Sequence, residues 1–144
     1  MNILFMCVAN SARSQLAEGV ARKVLGGSAH VESAGSAPGK LNPFAVRAMQ
    51  EIGLDISRHY SKSCSDLDPA FMDALDYVVT LCAEEVCPVV VSRAKRLHWP
   101  LPDPATREGS DQEQLDRFRA TRDALVQRIT SFAAESGLGR ARIE

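Results

Sequence analysis

Residues 2–19 read NILFMCVANSARSQLAEG, and the fold class that we expect follows from these eighteen residues. Residues 2–7 form a short apolar run, which is typical of a parallel strand covered on both faces. From Arg13 onward the apolar residues follow a helical stripe, and Gly26 and Gly27 end it. The stretch therefore predicts a strand, a loop and a helix in direct succession.

The remainder of the chain repeats this alternation of strands and helices. Further strands are predicted over residues 29–33, 75–81 and 94–98. Further helices are predicted over residues 43–52, 69–73 and 111–135, the first two after the start signals Asn42-Pro43 and Asp68-Pro69. Alternating strands and helices pair in parallel with right-handed crossovers. We therefore predict an α/β fold, a three-layer sandwich in a single domain spanning residues 1–144.

Composition excludes several classes of function. The 144 residues include 17 Lys+Arg and 18 Asp+Glu, so no basic footprint for nucleic acid or an anionic membrane surface is present. The apolar runs are far shorter than the roughly 20 residues of a membrane span. Because no basic leader precedes the first apolar run either, we expect a small cytoplasmic protein without nucleic-acid or membrane partners.

The loop between the first strand and the first helix carries the chemistry. A loop that opens a helix can turn its N–H groups inward and bind an anion. Arg13 can add two parallel hydrogen bonds to an oxyanion, and the same surroundings favour the nucleophilic thiolate of Cys7. The alternative is an inert core cysteine; a nucleotide-binding loop is excluded because the loop lacks glycine. The predicted anion-binding residues are Val8, Ala9, Asn10, Ser11, Ala12, Arg13 and Ser14.

Two further groups follow predicted strands and should lie at the same edge of the sheet. Cys82 follows the third strand and Asp103 the fourth, and the carboxyl ends of parallel strands form the usual site. Cys87 lies five positions after Cys82, so the pair could supply redox thiols. Alternatively the two are inert core cysteines or half of a zinc site. We expect no metal site, because the other potential ligands are scattered along the chain.

Residues 2–19 resemble the opening of the low-molecular-weight protein tyrosine phosphatase family, and the NSARSQ–AEG form is similar to its arsenate reductase branch. The similarity continues through residues 32–35, 42–43 and 53–57, His59, and residues 76–82 and 98–104. This resemblance implies a four-stranded parallel sheet with helices on both faces. The first motif alone does not choose between phosphatase and reductase.

The thioredoxin-coupled reductases in particular resemble this set of cysteines, and the resemblance implies a relay. Cys7 would attack arsenate, Cys82 would attack Cys7, and Cys87 would then form a disulfide with Cys82 that thioredoxin reduces. Asp103 would be the general acid, although Asp-Pro is also a common turn. Phosphate and sulfate would compete with arsenate. The alternatives are a protein tyrosine phosphatase and a module that senses oxyanions without turnover.

Departures from the family pattern limit this comparison. Some reductases bind potassium through four side chains; Asn10, Glu18 and Ser33 match, but Lys62 stands in the place of the aspartate. We therefore expect a lysine ammonium in place of the cation, no potassium dependence and no cofactor. Single histidines and Cys64 are expected to be structural, and Trp99 is expected to anchor the Asp103 loop.

Overall fold

The computed structural model of the chain describes residues 1–83, 92–106 and 108–137. Four strands are present: β1 (Asn2–Cys7), β2 (His30–Gly35), β3 (Tyr77–Thr80) and β4 (Lys95–His98). They alternate with four α-helices: α1 (Arg13–Leu25), α2 (Pro43–Gln50), α3 (Pro69–Asp73) and α4 (Asp111–Glu135). Single 3₁₀ turns follow α1 and precede α3, at Gly26–Ser28 and Cys64–Asp66.

The strands form one parallel sheet in the order β2-β1-β3-β4. Cys7, the last residue of β1, pairs with Gly35 on one side, and Met6 pairs with Thr80 on the other. All carboxyl ends therefore lie at one edge of the sheet, with Cys7 in the middle of that edge.

Side chains that alternate along β1 fill two cores on opposite faces of the sheet. Ile3 and Phe5 pack with buried residues of α1, α2 and α4. Leu4 and Met6 pack on the other face against Phe71 of α3 and its neighbours. The predicted α/β sandwich, with helices on both faces of a four-stranded parallel sheet, is confirmed.

The four described α-helices all begin where the sequence predicts. The helices α1 and α4 match the expected bounds, and α4 begins with a capping box in which Ser110 and Glu113 satisfy each other's backbone N–H. The helix α2 begins as expected after Asn42, whose side chain accepts from the Phe44 N–H.

The ends of four shorter elements differ from the prediction. The strand β4 begins at Lys95 rather than at residue 94. The strand β2 extends to Gly35 because all six of its residues pair with β1, and β3 is shortened to residues 77–80 by the extent of its own pairing. The helix α2 is assigned only to Gln50. Its last turn closes through hydrogen bonds from the Gly53 and Leu54 N–H groups to the Gln50 and Met49 carbonyls, with Gly53 at φ 77°.

The long helix α4 is joined to α2 by an ion-pair cluster. Arg122 and Arg119 both contact the Glu51 carboxylate, and Arg122 also donates to the Ala48 carbonyl at the end of α2. These contacts hold the Glu51 pKa at about 2, below its usual 4.5, chiefly through the hydrogen bond from Arg119. Across the described ranges, none of the helices is both long and apolar enough to cross a membrane.

Candidate active site

Backbone hydrogen bonds to its outward-facing carbonyl groups fix the loop after β1 in place. Three of them accept hydrogen bonds of 2.9 Å from residues 37–42: the carbonyls of Val8, Ala9 and Ser11 accept from the N–H groups of Ala37, Gly39 and Asn42. A trans peptide directs its C=O and the next N–H to opposite sides, and the described chain has no cis bond. The N–H groups of residues 9, 10 and 12 therefore point to the inner side of the loop.

That inner side lines a cavity of about 180 Å³. Its walls are Cys7, Val8, Ala9, Ser11, Ala12, Arg13 and, from the loop after β4, Asp103. The structure thus brings together the predicted nucleophile, most of the predicted anion-binding loop and the predicted acid. Asn10 and Ser14 lie behind this wall rather than in it.

Asn10 organises the loop from behind. It has φ 50°, a left-handed conformation that asparagine tolerates better than most side chains. Its amide nitrogen donates to the hydroxyls of Ser14 (2.7 Å) and Ser33 (3.0 Å), and its amide oxygen accepts from Gln15 Nε2 and the Lys62 N–H, both at 3.0 Å. Two donors and two lone pairs are all that this side chain has, so its hydrogen bonding is complete.

The Cys7 sulfur receives two polar contacts from the same structure. The Asn10 N–H donates to Cys7 Sγ at 3.2 Å, and the Ser14 hydroxyl lies 2.8 Å from it. Because the Ser14 oxygen already accepts from Asn10, its own proton is available to the sulfur. Cys7 is a free thiol and only 3% exposed.

Arg13 joins the loop to the neighbouring strand ends. This side chain, 4% exposed, donates from one terminal nitrogen to the carbonyls of Leu101 (3.0 Å) and Leu81 (3.4 Å). These bonds fix the guanidinium at the rim of the cavity, between β3 and the loop that carries Asp103. A planar group with five N–H donors can hold these carbonyls and face an oxyanion at the same time.

Cys82 lies at the end of the strand beside Cys7. The Leu81 N–H donates to the Met6 carbonyl at 3.0 Å, so the pairing of the two strands continues to the residue before each cysteine. Neighbouring strands of a sheet are spaced about 4.8 Å apart, so Cys82 and Cys7 follow adjacent strand ends. Cys82 is 1% exposed and is disulfide-bonded, whereas Cys7 and Cys64 are free thiols. The predicted third member of the relay, Cys87, lies outside the described residues.

A buried carboxylate, Glu18, lies beneath Asn10. Glu18 Oε1 accepts from the Ser33 hydroxyl at 2.6 Å and from Lys62 Nζ at 3.3 Å. Arg22 and His59 contact its other oxygen at 3.2 and 3.4 Å. Lys62 is 6% exposed, so a buried ammonium contacts Glu18, the carboxylate that also accepts from Ser33.

Gln15 belongs to this cluster, although the sequence analysis did not select it. Its amide nitrogen donates to the Asn10 carbonyl and side chain and to the Tyr60 carbonyl, and His59 Nδ1 lies 3.0 Å from its oxygen. Burial lowers the His59 pKa, although the Glu18 carboxylate acts in the opposite direction. The signal in the sequence is slight: a polar residue on the buried stripe of the first helix.

The other residues named from the sequence lie away from the cavity chemistry. Cys64 is half-buried against Met6 on the other face of the sheet, and burial raises its pKa. His98 bonds to Thr80, and His30 to Glu32. In the part of the chain that the structure describes, no three potential ligands lie close enough together to hold a metal ion. Trp99 packs between aromatic rings of β1 and α4 at the start of the Asp103 loop.

Comparison with known proteins agrees with this fold. The model of the low-molecular-weight phosphotyrosine protein phosphatase family matches residues 2–141, and the chain belongs to that family. Within it, the chain is similar to arsenate reductases: it is 46% identical over 133 residues to that of Halalkalibacterium halodurans, covering 91% of this chain and 94% of the relative.

Solved structures show the same similarity. An arsenate reductase in the phosphate-binding state superposes with a TM-score of 0.75 at 30% identity, covering 94% of this chain and 98% of that one. A thioredoxin-dependent arsenate reductase of Corynebacterium glutamicum gives a TM-score of 0.61 at 30% identity, covering 90% of this chain and 62% of that one. The expected resemblance to the reductase branch is confirmed.

Proposed function

We propose that the chain is an arsenate reductase that transfers oxidation through a relay of cysteines. One observation carries this proposal: a free cysteine within an anion-binding loop lies beside the strand end that bears a second, disulfide-bonded cysteine. A phosphatase needs only the first of these. A reductase needs both, because As(V) must receive two electrons.

Binding and the first attack use the groups around the cavity. The inward N–H groups of residues 9 and 12 and the Arg13 guanidinium hold the arsenate oxygens, and phosphate or sulfate would compete for the same donors. The Ser14 proton and the Asn10 N–H stabilise negative charge on Cys7 Sγ. The thiolate forms an S–As bond as an As–O bond breaks, and the oxygen leaves as water after taking a proton from Asp103.

The relay then moves the oxidation onto sulfur. The Cys82 thiolate attacks Cys7 Sγ, so an S–S bond forms while the S–As bond breaks and leaves its electron pair on arsenic. Arsenic becomes As(III) and departs as arsenite. The Cys87 thiolate next attacks Cys82, which restores the Cys7 thiolate and leaves a Cys82–Cys87 disulfide. One arsenate is reduced for every two thiols oxidised.

The pairing of the described cysteines is compatible with the last of these steps. A disulfide at Cys82 with a free Cys7 is the pattern expected after the last intramolecular exchange. An external dithiol must then reduce the bond. We assign that role to thioredoxin, which the Corynebacterium glutamicum relative is named as depending on. A relay that starts from three free thiols also fits the reducing cytoplasm.

The direct test couples turnover to thioredoxin. With arsenate, thioredoxin, thioredoxin reductase and NADPH, the wild-type chain is expected to consume NADPH, and Cys64→Ser is expected to do so at an unchanged rate. Mass mapping after one turnover of Cys87→Ser should find a trapped Cys7–Cys82 disulfide. No NADPH consumption with any thiol system, together with tight arsenate binding, would instead indicate a sensing module.

A second candidate is a protein tyrosine phosphatase, and the family match together with Cys7, Arg13 and Asp103 in one cavity favours it. It predicts hydrolysis of aryl phosphates that survives Cys82→Ser, with no arsenate-dependent thiol loss in the wild type. The reductase predicts that Cys82→Ser abolishes arsenite release while leaving the first attack by Cys7 intact.

A further inference from the structure

We infer that Arg117, a residue of α4 remote from the anion loop, positions Asp103 for proton transfer. The inference rests on the proposed role of Asp103 as the general acid. Arg117 touches neither substrate nor Cys7 in this arrangement, so its effect would be exerted through the backbone of the loop between β4 and α4.

The first half of that loop is fixed by the sheet. The Trp99 N–H donates to the Thr80 carbonyl at 2.9 Å, and the Leu101 N–H donates to the Leu81 carbonyl at 3.1 Å. Arg13 donates to the Leu101 carbonyl as well. These bonds extend β3–β4 pairing past the strand ends, but they stop two residues before Asp103.

Arg117 fixes the second half. Its guanidinium donates to three backbone carbonyls of this segment, those of Pro104 (3.5 Å), Thr106 (3.0 Å) and Glu108 (2.6 Å). The helix residue that follows, Phe118, is 1% exposed and belongs to the main core, so Arg117 projects from a fixed support. Within the described residues, Arg117 has no acidic partner, unlike Arg119 and Arg122 on the same helix.

Packing holds the loop only in part, through Leu101 and Ala105, which are partly buried against the main core. A cavity of about 300 Å³ separates residues 101–104 from α4, and Arg117 forms part of its wall. The Asp103 side chain is exposed, and its Oδ1 accepts from the Ala105 N–H at 2.9 Å. The direction of the carboxyl therefore follows the backbone of residues 103–105. If the Arg117 bonds are lost, this backbone has room to move and carries the acid away from the arsenate oxygen.

The test is a pair of single variants and their combination, measured in single turnovers. Reduced enzyme is mixed with excess arsenate, and the loss of two free thiols is followed. We expect Asp103→Asn to slow the reaction about 10²- to 10⁴-fold. Arg117→Met is expected to slow it roughly 10- to 100-fold, as for a displacement of about 1 Å. The double variant should be no slower than Asp103→Asn alone, and Arg117→Lys should retain part of the rate.

Further readouts separate positioning from a general loss of structure. The basic limb of the pH–rate profile reports the acid, so it should flatten in Arg117→Met as it does in Asp103→Asn. The rate of Cys7 alkylation by iodoacetamide should stay unchanged in Arg117→Met. Arg119→Met removes a charge from the same helix and serves as the matched control, with an unchanged single-turnover rate.

The outcomes are distinguishable. If Asp103→Asn slows the reaction while Arg117→Met has no effect, or the two effects multiply in the double variant, the positioning role is wrong and the acid stands. If Asp103→Asn has no effect, the role of Asp103 is wrong and the inference about Arg117 falls with it. If the wild type loses no thiols to arsenate, the proposed reductase function itself is wrong.

Discussion

Replacing Gly35 by alanine tests how closely the anion loop is built onto β2. A Cβ at this position would lie 2.3 Å from the Val8 carbonyl oxygen and 2.9 Å from the Asn10 nitrogen, whereas ordinary van der Waals contact begins at 3.4 Å. Both obstacles are backbone atoms, so no side chain can rotate away. The backbone of Gly35 itself is compatible with alanine, because its φ is not in the left-handed region.

The size of the effect follows from these distances. The loop must shift by about 1 Å, and a displacement of that size at a reacting centre can cost roughly 10²-fold in rate. We therefore expect kcat/KM for arsenate, measured in the thioredoxin-coupled assay, to fall about 100-fold in Gly35→Ala, equivalent to about 2.7 kcal/mol of transition-state stabilisation. Overpacking is also expected to lower the free energy of unfolding by about 1–3 kcal/mol.

The control is Gly27→Ala. This glycine precedes the same strand, and its φ also lies outside the left-handed region. A Cβ added at Gly27 would meet no atom within 4 Å, so activity should be unchanged. A folded Gly35→Ala variant with kcat/KM within about threefold of the wild type, a difference of only about 0.7 kcal/mol, would refute the claim that this contact sets the loop position.

Four further predictions concern the supporting residues. Lys62→Met should lower the free energy of unfolding by roughly 3 kcal/mol in urea titrations, because Glu18 loses a buried ammonium. Because this ammonium is expected to replace the cation, the activity of the wild type should be the same in potassium chloride and in sodium chloride. Asn10→Ala, which removes four side-chain bonds, should lower kcat/KM about 100-fold while chemical denaturation still shows a folded protein. Glu51→Gln should lower the free energy of unfolding by about 1 kcal/mol at pH 7. Since folding lowers the Glu51 pKa to about 2, the difference in this free energy between wild type and variant should shrink in urea titrations as the pH falls from 4.5 towards 2.

The sequence predicts the long helices and the layer order well, and short strand ends less well. The bounds of α1 and α4 follow from local signals, namely apolar stripes, glycines and a capping box, all visible within the segment itself. The ends of β2 and β3 depend on how far the neighbouring strand continues, which no local pattern records.

The same distinction holds for the site. The sequence could predict that Cys7, Arg13 and Asp103 lie at one site. The carboxyl ends of parallel strands share one edge of the sheet, and the family motif is specific. Gln15 and Arg117 could not be predicted, since their partners are mostly backbone carbonyls of segments up to 45 residues away. A carbonyl is present at every position, so such a contact leaves no trace in residue type.

The outward bonds of the Val8, Ala9 and Ser11 carbonyls have a consequence for selectivity. These bonds order the loop when the chain folds, so the anion-binding site is preorganised. Binding of an anion therefore costs no free energy for ordering the loop. A rigid receptor cannot distinguish two tetrahedral anions of equal charge by closing around one of them. We therefore expect discrimination to depend on redox chemistry. Thiols do not reduce phosphorus(V), so bound phosphate would delay the enzyme without consuming its thiols.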